Sequence, residues 1–163
     1  MDIAYPLTED YFMKRCEISD VDRISRFYQY VSKNTRNMQQ FGKWIYGLHP
    51  TKEQIESYIK YGFMYCFERS NKILGAIAIT PFQETEYQDI DWQIACQNNE
   101  VSVVHLLAVN PNYQGCGIAR KIMRNAIHIA KNSNSKSVRL DALSCNIPAY
   151  RLYHSIGFEK VNV

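Results

Sequence analysis

The sequence predicts an α/β (α+β mixed) fold, with a mixed central β-sheet flanked by helices on both faces. Two apolar strands in residues 63–80 are separated by Ser70-Asn71-Lys72, a spacing typical of an antiparallel hairpin. Residues 101–143 instead follow the order strand, helix, strand, and a crossover of this kind makes two strands parallel. Several segments also repeat apolar residues every three or four positions, which indicates amphipathic helices packed on the sheet.

Length and composition indicate one globular domain over residues 1–163. Hydrophobic residues make up 46% of the chain and charged residues 21%, which excludes disordered and fibrous classes. The net charge of +3 is too mild, and its Lys and Arg residues are too evenly spread, to predict a nucleic-acid partner. The longest apolar run, residues 73–79, is too short to span a bilayer, so no membrane association is expected.

The five cysteines are widely spaced and include no Cys-x-x-Cys pair, and the four histidines are equally scattered. An odd number of cysteines without metal-type spacing indicates reduced thiols and no metal site. The N-terminal residues also lack the apolar core of a secretory signal. These observations together predict a cytoplasmic protein.

The first strand is predicted over residues 12–18. Ser19 or Asp20 then caps a helix that runs to about Lys33, with apolar residues at spacings of three and four. Residues 34–50 are polar and broken by glycines and a proline, which indicates a loop with one short helical turn.

Thr51 is predicted to cap a second helix, because Glu and Gln follow it in the first turn, and Gly62 is predicted to end that helix. The strands of the hairpin, 63–69 and 73–80, come next. Residues 82–100 then form a long polar connection, in which a short structured piece is expected over 90–96. Connections of this length usually carry function.

Residues 101–109 are apolar on both faces apart from Ser102 and His105, as expected for a central strand. The remaining predicted elements are a helix, a strand, a second helix and a final short strand, over residues 115–131, 137–143, 146–156 and 158–163.

The hexapeptide Gln114-Gly115-Cys116-Gly117-Ile118-Ala119 lies between the central strand and the following helix. Two glycines let a ligand approach the backbone, and the N–H groups that open the helix favour an anion. A Walker A loop needs Gly-Lys-Ser/Thr, which is absent. A dinucleotide fingerprint needs a third glycine, and Arg120 occupies that position.

Gln114, Gly117 and Ala119 match the pattern Gln/Arg-x-x-Gly-x-Gly/Ala, which resembles the pyrophosphate-binding loop of the GNAT N-acetyltransferases. Residues 146–158 also match every specified position of the family's segment Asn-x-x-Ala-x-x-Leu-Tyr-x-x-x-Gly-Phe. The resemblance covers about residues 12–163 and is most specific over 101–158. It implies the transfer of an acetyl group from acetyl-CoA, used as a co-substrate, directly to a primary amine of a small molecule or peptide.

The resemblance also implies roles for individual residues. Tyr153 would protonate the departing thiolate, and Asn146 would contact the cofactor. Backbone groups of the central strand would bind the pantetheine amides. The hexapeptide of residues 114–119, called the glycine loop below, would bind the pyrophosphate. The implied cofactor-binding set is therefore Leu106, Leu107, Ala108, Val109, Gln114, Gly115, Cys116, Gly117, Ile118, Ala119, Arg120, Asn146 and Tyr153. Arg120 and Lys121 either reach the 3′-phosphate of the cofactor or belong to an exposed helix face.

The sequence does not identify the general base. Family members often carry a carboxylate on the strand before the loop, and this strand has none. His105, expected on the same face as Val103 and Leu107, titrates near neutral pH and is one candidate; the alternative is a hydrogen-bonded core histidine. Glu100 is an equal candidate, and Asp89 and Asp91 are further alternatives that would act, like Glu100, through water.

Trp44, Tyr46, His49, Tyr87 and Trp92 fall in the two longest connections, which border the acceptor pocket in the resembling family. Local loop packing is the alternative for all five.

The family also usually has two strands after its Gly-Phe, whereas only residues 159–163 follow Phe158. Either the sheet is one strand short, or another chain fills the gap, or the sequence is truncated. Because an unpaired central edge is a liability, we expect a homo-oligomer, most simply a homodimer, with strand or helix exchange. A catalytically weak or inactive acyl-CoA-binding sensor or subunit is the alternative function.

Overall fold

The computed structural model describes residues 11–161, and within them a single five-stranded sheet has the order β1-β2-β3-β4-β5. The first four strands pair antiparallel with their neighbours and the last pair, β4 and β5, is parallel. The strands are β1 Phe12–Arg15, β2 Met64–Arg69, β3 Lys72–Thr80, β4 Val101–Val109 and β5 Ser137–Arg139. The helices are α1 Val21–Asn34, α2 Met38–Phe41, α3 Lys52–Lys60, α4 Ile118–Asn132 and α5 Ile147–Ser155. This confirms the predicted mixed sheet with helices on both faces.

Helices α1 and α3 cover one face of the sheet. The apolar side of α1, which includes Ile24, Tyr28 and Val31, is buried there, because residues three and four apart share one helix face. Helix α3 begins as predicted: the Thr51 hydroxyl accepts from the backbone N–H of Gln54, whose side chain reaches back to the backbone N–H of Thr51.

Helix α4 covers the opposite face, with Ile118, Ile122 and Met123 buried against it. Gly75 of β3 makes this packing close. A Cβ atom at that position would lie 2.3 Å from Ile122 Cδ1 and 2.8 Å from the carbonyl oxygen of Ala108. Only glycine therefore lets α4 approach the sheet at this point.

Four predictions for irregular segments and strand ends need correction. The strand predicted over 137–143 ends at Arg139, because its ladder with β4 ends at the pair Val103 and Arg139. The final strand is absent from residues 158–161, the part of it that the structure describes; Val163 lies outside the described residues. Residues 90–96 form no helix or strand, and the first strand ends at Arg15 instead of residue 18.

Among residues 11–161, no helix is long and apolar enough to cross a membrane.

Candidate active site

A cleft opens where β4 and β5 separate. The two strands pair only from Val101 with Ser137 to Val103 with Arg139. Beyond that point, residues 104–107 form one wall of a cavity and residues 140–143 form the facing wall. Backbone groups of β4 that would bond to a neighbouring strand are therefore left open to the cleft along the length that a ligand would occupy.

A β-bulge at Leu106 shapes this edge of β4. Leu106 has a φ of +54°, and the register with β3 shifts between its residues Ala76 and Ala78. The buried Tyr28 of α1 donates its hydroxyl to the carbonyl oxygen of Leu106 at 2.7 Å. A left-handed conformation at a non-glycine residue is unfavourable, and this hydrogen bond from a neighbouring helix helps to hold it.

The bulge reverses the alternation of side chains along β4. The His105 ring stacks on Tyr58 of α3, with 5.7 Å between ring centroids. Leu107 instead packs with the cluster under α4, on the other face of the sheet. The expectation that His105 and Leu107 share a face was wrong, because an extra residue shifts the two-residue period of a strand.

The glycine loop lies at the end of β4, between it and α4. Gly115 and Gly117 both have a φ of +78°, a conformation that side chains disfavour, and residues 114–117 are exposed. Gly117 is the N-cap of α4 and has no side chain to bond the first N–H groups of the helix. The loop therefore leaves backbone donors and the positive end of the helix dipole available to an anion.

The side chains around the loop are held in different ways. Arg120 donates to the hydroxyl of Ser155 at the end of α5, with 2.8 Å between Nη2 and Oγ. The exposed Cys116 thiol contacts the Gln114 carbonyl oxygen at 3.9 Å. Ile118 is buried, so its backbone alone could face a ligand.

Tyr153 of α5 lies on the cleft wall opposite β4. Burial raises the pKa of its phenol to about 12, with a further contribution from the Asp141 carboxylate, so the hydroxyl keeps its proton at neutral pH. Among the described residues this hydroxyl has no hydrogen-bond partner. Its ring packs against Phe158 at 5.9 Å between centroids. The side chain can thus present a proton to the cleft.

Asn146 lines the same cleft and also caps α5. Its Oδ1 accepts from the backbone N–H of Ala149 at 3.2 Å, and its Nδ2 donates to the Phe41 carbonyl oxygen at 3.1 Å. The amide keeps one N–H and one lone pair for a ligand. Asn146 therefore ties α5 to the end of α2 as well as facing the cavity.

His105 lines the same cleft, and its Nε2 is 3.4 Å from Glu84 Oε1 and 3.2 Å from Thr80 Oγ1. Burial lowers the pKa of the imidazole below 6.5, while the carboxylates of Glu84 and Asp141 act in the opposite direction. The ring is therefore neutral at pH 7 and available to accept a proton.

Glu100 is not brought to this cleft. Its carboxylate pairs with Lys136 at 2.6 Å and accepts from the backbone N–H of Gln97 at 2.9 Å. Those contacts lower the pKa of Glu100. It precedes β4, and five strand residues place it about 16 Å from His105 along the chain direction.

Glu84 and Asp141 are two carboxylates of the cleft that sequence reasoning missed. Asp141 accepts from the Tyr87 hydroxyl at 2.6 Å, and Glu84 contacts His105. Glu84 lies in a polar connection without periodicity, and Asp141 falls within the segment predicted as a strand over 137–143, so no local pattern marks either carboxylate as a site residue. The length of the connection around Tyr87 was the one feature of the sequence that indicated a functional role for this region.

Two cavities, of about 1020 and 1320 Å³, meet at this point and share wall residues that include His105, Asp141 and Tyr153. The first is bordered by the connection between α1 and α3 and by Gln114. The second is bordered by the connection between β3 and β4. Two ligands could therefore reach His105 and Tyr153 from different directions.

The aromatic residues expected near an acceptor divide between these cavities. Trp44 and His49 line the first, and Tyr87 and Trp92 line the second. Tyr46 lines neither; it is exposed, and the Lys33 ammonium lies 3.8 Å from its ring centroid. In the described part of the chain, no group of three or more His, Cys, Asp or Glu residues is placed to hold a metal ion.

Comparison with known proteins gives a family match. The profile described as "Acetyltransferase (GNAT) family" matches residues 21–158. An uncharacterized N-acetyltransferase of Methanocaldococcus jannaschii is 25% identical over 98% of this chain and 66% of its own length. The chain spans about two thirds of that relative and less than half of the other curated relatives that it matches.

Solved structures agree on the fold. A GNAT-family acetyltransferase from Streptococcus agalactiae has a TM-score of 0.74 at 13% identity, covering 96% of this chain and 89% of that one. An aminoglycoside N-acetyltransferase in complex with CoA has a TM-score of 0.69 at 10% identity, with 98% and 94% covered. At such identities the likeness concerns the fold.

Proposed function

The chain belongs to the acetyltransferase (GNAT) family, and we propose that it transfers an acetyl group from acetyl-CoA to a primary amine of a small molecule or peptide. One observation carries this proposal. Tyr153, which keeps its proton at neutral pH, and His105, which is neutral there, lie on the walls of one cleft that begins beside the glycine loop. A proton donor and a proton acceptor at one site are what acyl transfer to an amine needs.

The open backbone of the cleft fits an elongated anionic co-substrate. The backbone N–H groups of residues 114–119 would bind the pyrophosphate, and the unpaired edge of β4 at residues 107–109 would bind the amides of the pantetheine arm. Arg36 and Lys43 line the same cavity and add positive charge. Acetyl-CoA supplies the activated acetyl group as a thioester.

Tyr153 is the proposed general acid. Burial holds its pKa at about 12, so the proton is present at pH 7 and a departing thiolate can accept it. Tyr153 projects from α5, and the cap that begins this helix is Asn146. Asn146 is therefore proposed to position the acid as well as to line the cofactor site.

His105 is the proposed general base. An amine must lose a proton to attack or to complete transfer, and a neutral imidazole on the cleft wall can accept it. Glu100, the other candidate, is paired with Lys136 outside the cleft and has no part in this proposal.

The two cavities support direct transfer between two bound substrates. Cofactor and acceptor would enter from different sides and meet at His105 and Tyr153. A covalent route through cysteine would need a nearby base. The exposed thiols of Cys116 and Cys145 contact only the backbone carbonyl oxygens of Gln114 and Gln40 within the described residues.

Release of CoA thiol is the experiment that tests this function. Wild-type protein is incubated with acetyl-CoA and a panel of polyamines, aminoglycosides, amino acids and peptide N-termini, with an amine-free reaction as the control. Thiol release that depends on an amine, with an acetylated product of matching mass, is the expected result. Binding of acetyl-CoA by calorimetry without turnover on any amine would instead fit an acyl-CoA-binding sensor.

We also propose that the protein is a cytoplasmic homodimer. The outer edge of β5 has no ladder partner among residues 11–161. A second copy that paired with this edge would remove an exposed strand edge. Light scattering at micromolar concentration is expected to give twice the chain mass of 19.1 kDa, and a monomer would contradict the dimer.

A further inference from the structure

The hydrogen bonds around His105 define which ring nitrogen carries its proton. Thr80 donates its single hydroxyl hydrogen to the Phe82 carbonyl oxygen at 2.9 Å. Toward His105 Nε2, at 3.2 Å, that hydroxyl can therefore only accept. The Glu84 carboxylate at 3.4 Å is also an acceptor. Two acceptors facing Nε2 require a hydrogen on it, so in the neutral ring Nδ1 is the atom with the free lone pair.

Glu84 reaches this position because the residue before it is anchored. The buried Gln83 bonds Asn98 twice, through its backbone N–H at 3.1 Å and through its side chain at 2.9 Å. Arg139 of β5 donates to the Gln83 side-chain oxygen. Although Glu84 lies in an irregular connection, its backbone is therefore fixed against β5, and its carboxylate is directed at His105.

One oxygen of Glu84 is already engaged and the other is not. Oε1 faces His105, whereas Oε2 is buried and has no hydrogen-bond partner in the described part of the chain. A buried, unpaired carboxylate oxygen is costly, so its retention beside the imidazole calls for an explanation. A carboxylate there compensates for the burial that would otherwise disfavour a positive charge on the ring.

We propose that Glu84 is a positioning residue for His105. It keeps the hydrogen on Nε2, leaves Nδ1 as the proton acceptor in the cleft, and stabilises the imidazolium that forms. This inference rests on the proposed function in taking His105 as the base. In the step it describes, the acceptor nitrogen bonds to the acetyl carbon and its proton passes to Nδ1, while the C–S bond of the thioester breaks and Tyr153 protonates the departing CoA thiolate. The imidazolium, with hydrogens on both nitrogens, then returns the Nδ1 proton through water to the Tyr153 phenolate.

The other groups that face His105 do not replace Glu84. Tyr58 of α3 stacks on the ring, Tyr153 of α5 holds its proton, and the Asp141 carboxylate accepts from Tyr87. Glu84 is the carboxylate within contact distance of the imidazole among the described residues. Removal of the Glu84 carboxylate should leave burial as the dominant influence on the pKa of the imidazole. His105 would then be a weaker base.

Nitrogen-15 NMR of the histidine side chains tests this without any turnover. We expect the wild-type ring to carry its hydrogen on Nε2. Glu84→Gln, which keeps the shape but removes the charge, should lower the pKa of His105, because the ring loses the negative charge that opposes the effect of burial. Glu100→Gln is the matched control, because it makes the same change outside the cleft. A hydrogen on Nδ1 in the wild type would overturn the proposal, and so would an unchanged pKa in Glu84→Gln.

The pH dependence of kcat/KM gives the second readout. The acid limb should move to lower pH in Glu84→Gln by the same shift as the NMR pKa, and remain in place in Glu100→Gln. If the acid limb of the kcat/KM profile stays in place while the NMR pKa of His105 shifts, His105 is not the general base. If wild type shows no acetyl transfer to any amine, the proposed function fails, and the tautomer measured by NMR still decides whether Glu84 orients His105.

Discussion

The hydroxyl of Tyr28 on α1 donates a 2.7 Å hydrogen bond to the carbonyl oxygen of Leu106, at the bulge of β4. This contact connects a helix of the first half of the chain to the central strand of the cleft. Because the bulge reverses the side-chain alternation, it directs His105 toward α3 and Leu107 toward α4. Tyr28 therefore helps to determine which side chain of β4 faces Glu84.

Tyr28→Phe is expected to lower the free energy of unfolding by about 1–2 kcal/mol, because the buried carbonyl of Leu106 loses its donor. Urea unfolding followed by circular dichroism measures this change. Acetyl transfer should fall as well, since the bulge loses a contact that holds it. Tyr30→Phe is the matched control, as the Tyr30 hydroxyl makes an exposed bond with Asn112. Equal stability for the two variants would contradict a role for Tyr28 at the bulge.

The stability of the protein should depend on the protonation of His105. Because burial holds the pKa of this ring below 6.5 in the folded state, the unfolded chain binds the proton first as the pH falls. The free energy of unfolding should therefore drop as the pH decreases below 6.5, by at most about 1.4 kcal/mol per pH unit from this group. His105→Gln should remove that part of the slope in urea unfolding at pH 7.5, 6.5 and 5.5. An identical slope in the variant would contradict the buried, neutral imidazole.

Arg139 is expected to hold the connection that carries Glu84. Its buried guanidinium bonds the Gln83 side chain and the Ile94 carbonyl oxygen, and it lies 4.1 Å from the Trp92 ring centroid. An ammonium cannot reproduce this planar set of contacts, so Arg139→Lys should lower stability by about 1–3 kcal/mol.

Hydrogen exchange provides the local measurement for this change. Amides of residues 82–97 should exchange faster in Arg139→Lys, while Arg124→Lys on the exposed face of α4 should exchange as the wild type does. Unchanged exchange in residues 82–97 would show that the connection does not depend on Arg139.

Much of the fold follows from local patterns in the sequence. The strand over Val101–Val109 was predicted with its observed bounds, because a run that is apolar on both faces is typical of a central strand. Helix α1 and the capping box at Thr51 also follow from residues close together in the chain. The glycine loop could be interpreted for the same reason, since its chemistry lies in six consecutive residues.

Features that depend on distant residues could not be predicted. The bulge at Leu106 contains no glycine and is supported by Tyr28, so the sequence of the strand alone does not predict it. The early end of β5 follows from the separation of β4. The contact of Glu84 with His105 likewise arises because Gln83 is anchored by Asn98 and Arg139. In each case the cause is tertiary packing.

Turnover by Tyr153→Phe shows whether Tyr153 supplies the proton in the cleft. The substitution removes one hydroxyl and keeps the ring that packs against Phe158. We expect kcat to fall by at least about 100-fold, the usual contribution of a general acid, while the Kd for acetyl-CoA measured by calorimetry stays at the wild-type value. A variant that turns over at the wild-type rate would contradict the role of Tyr153 as the general acid.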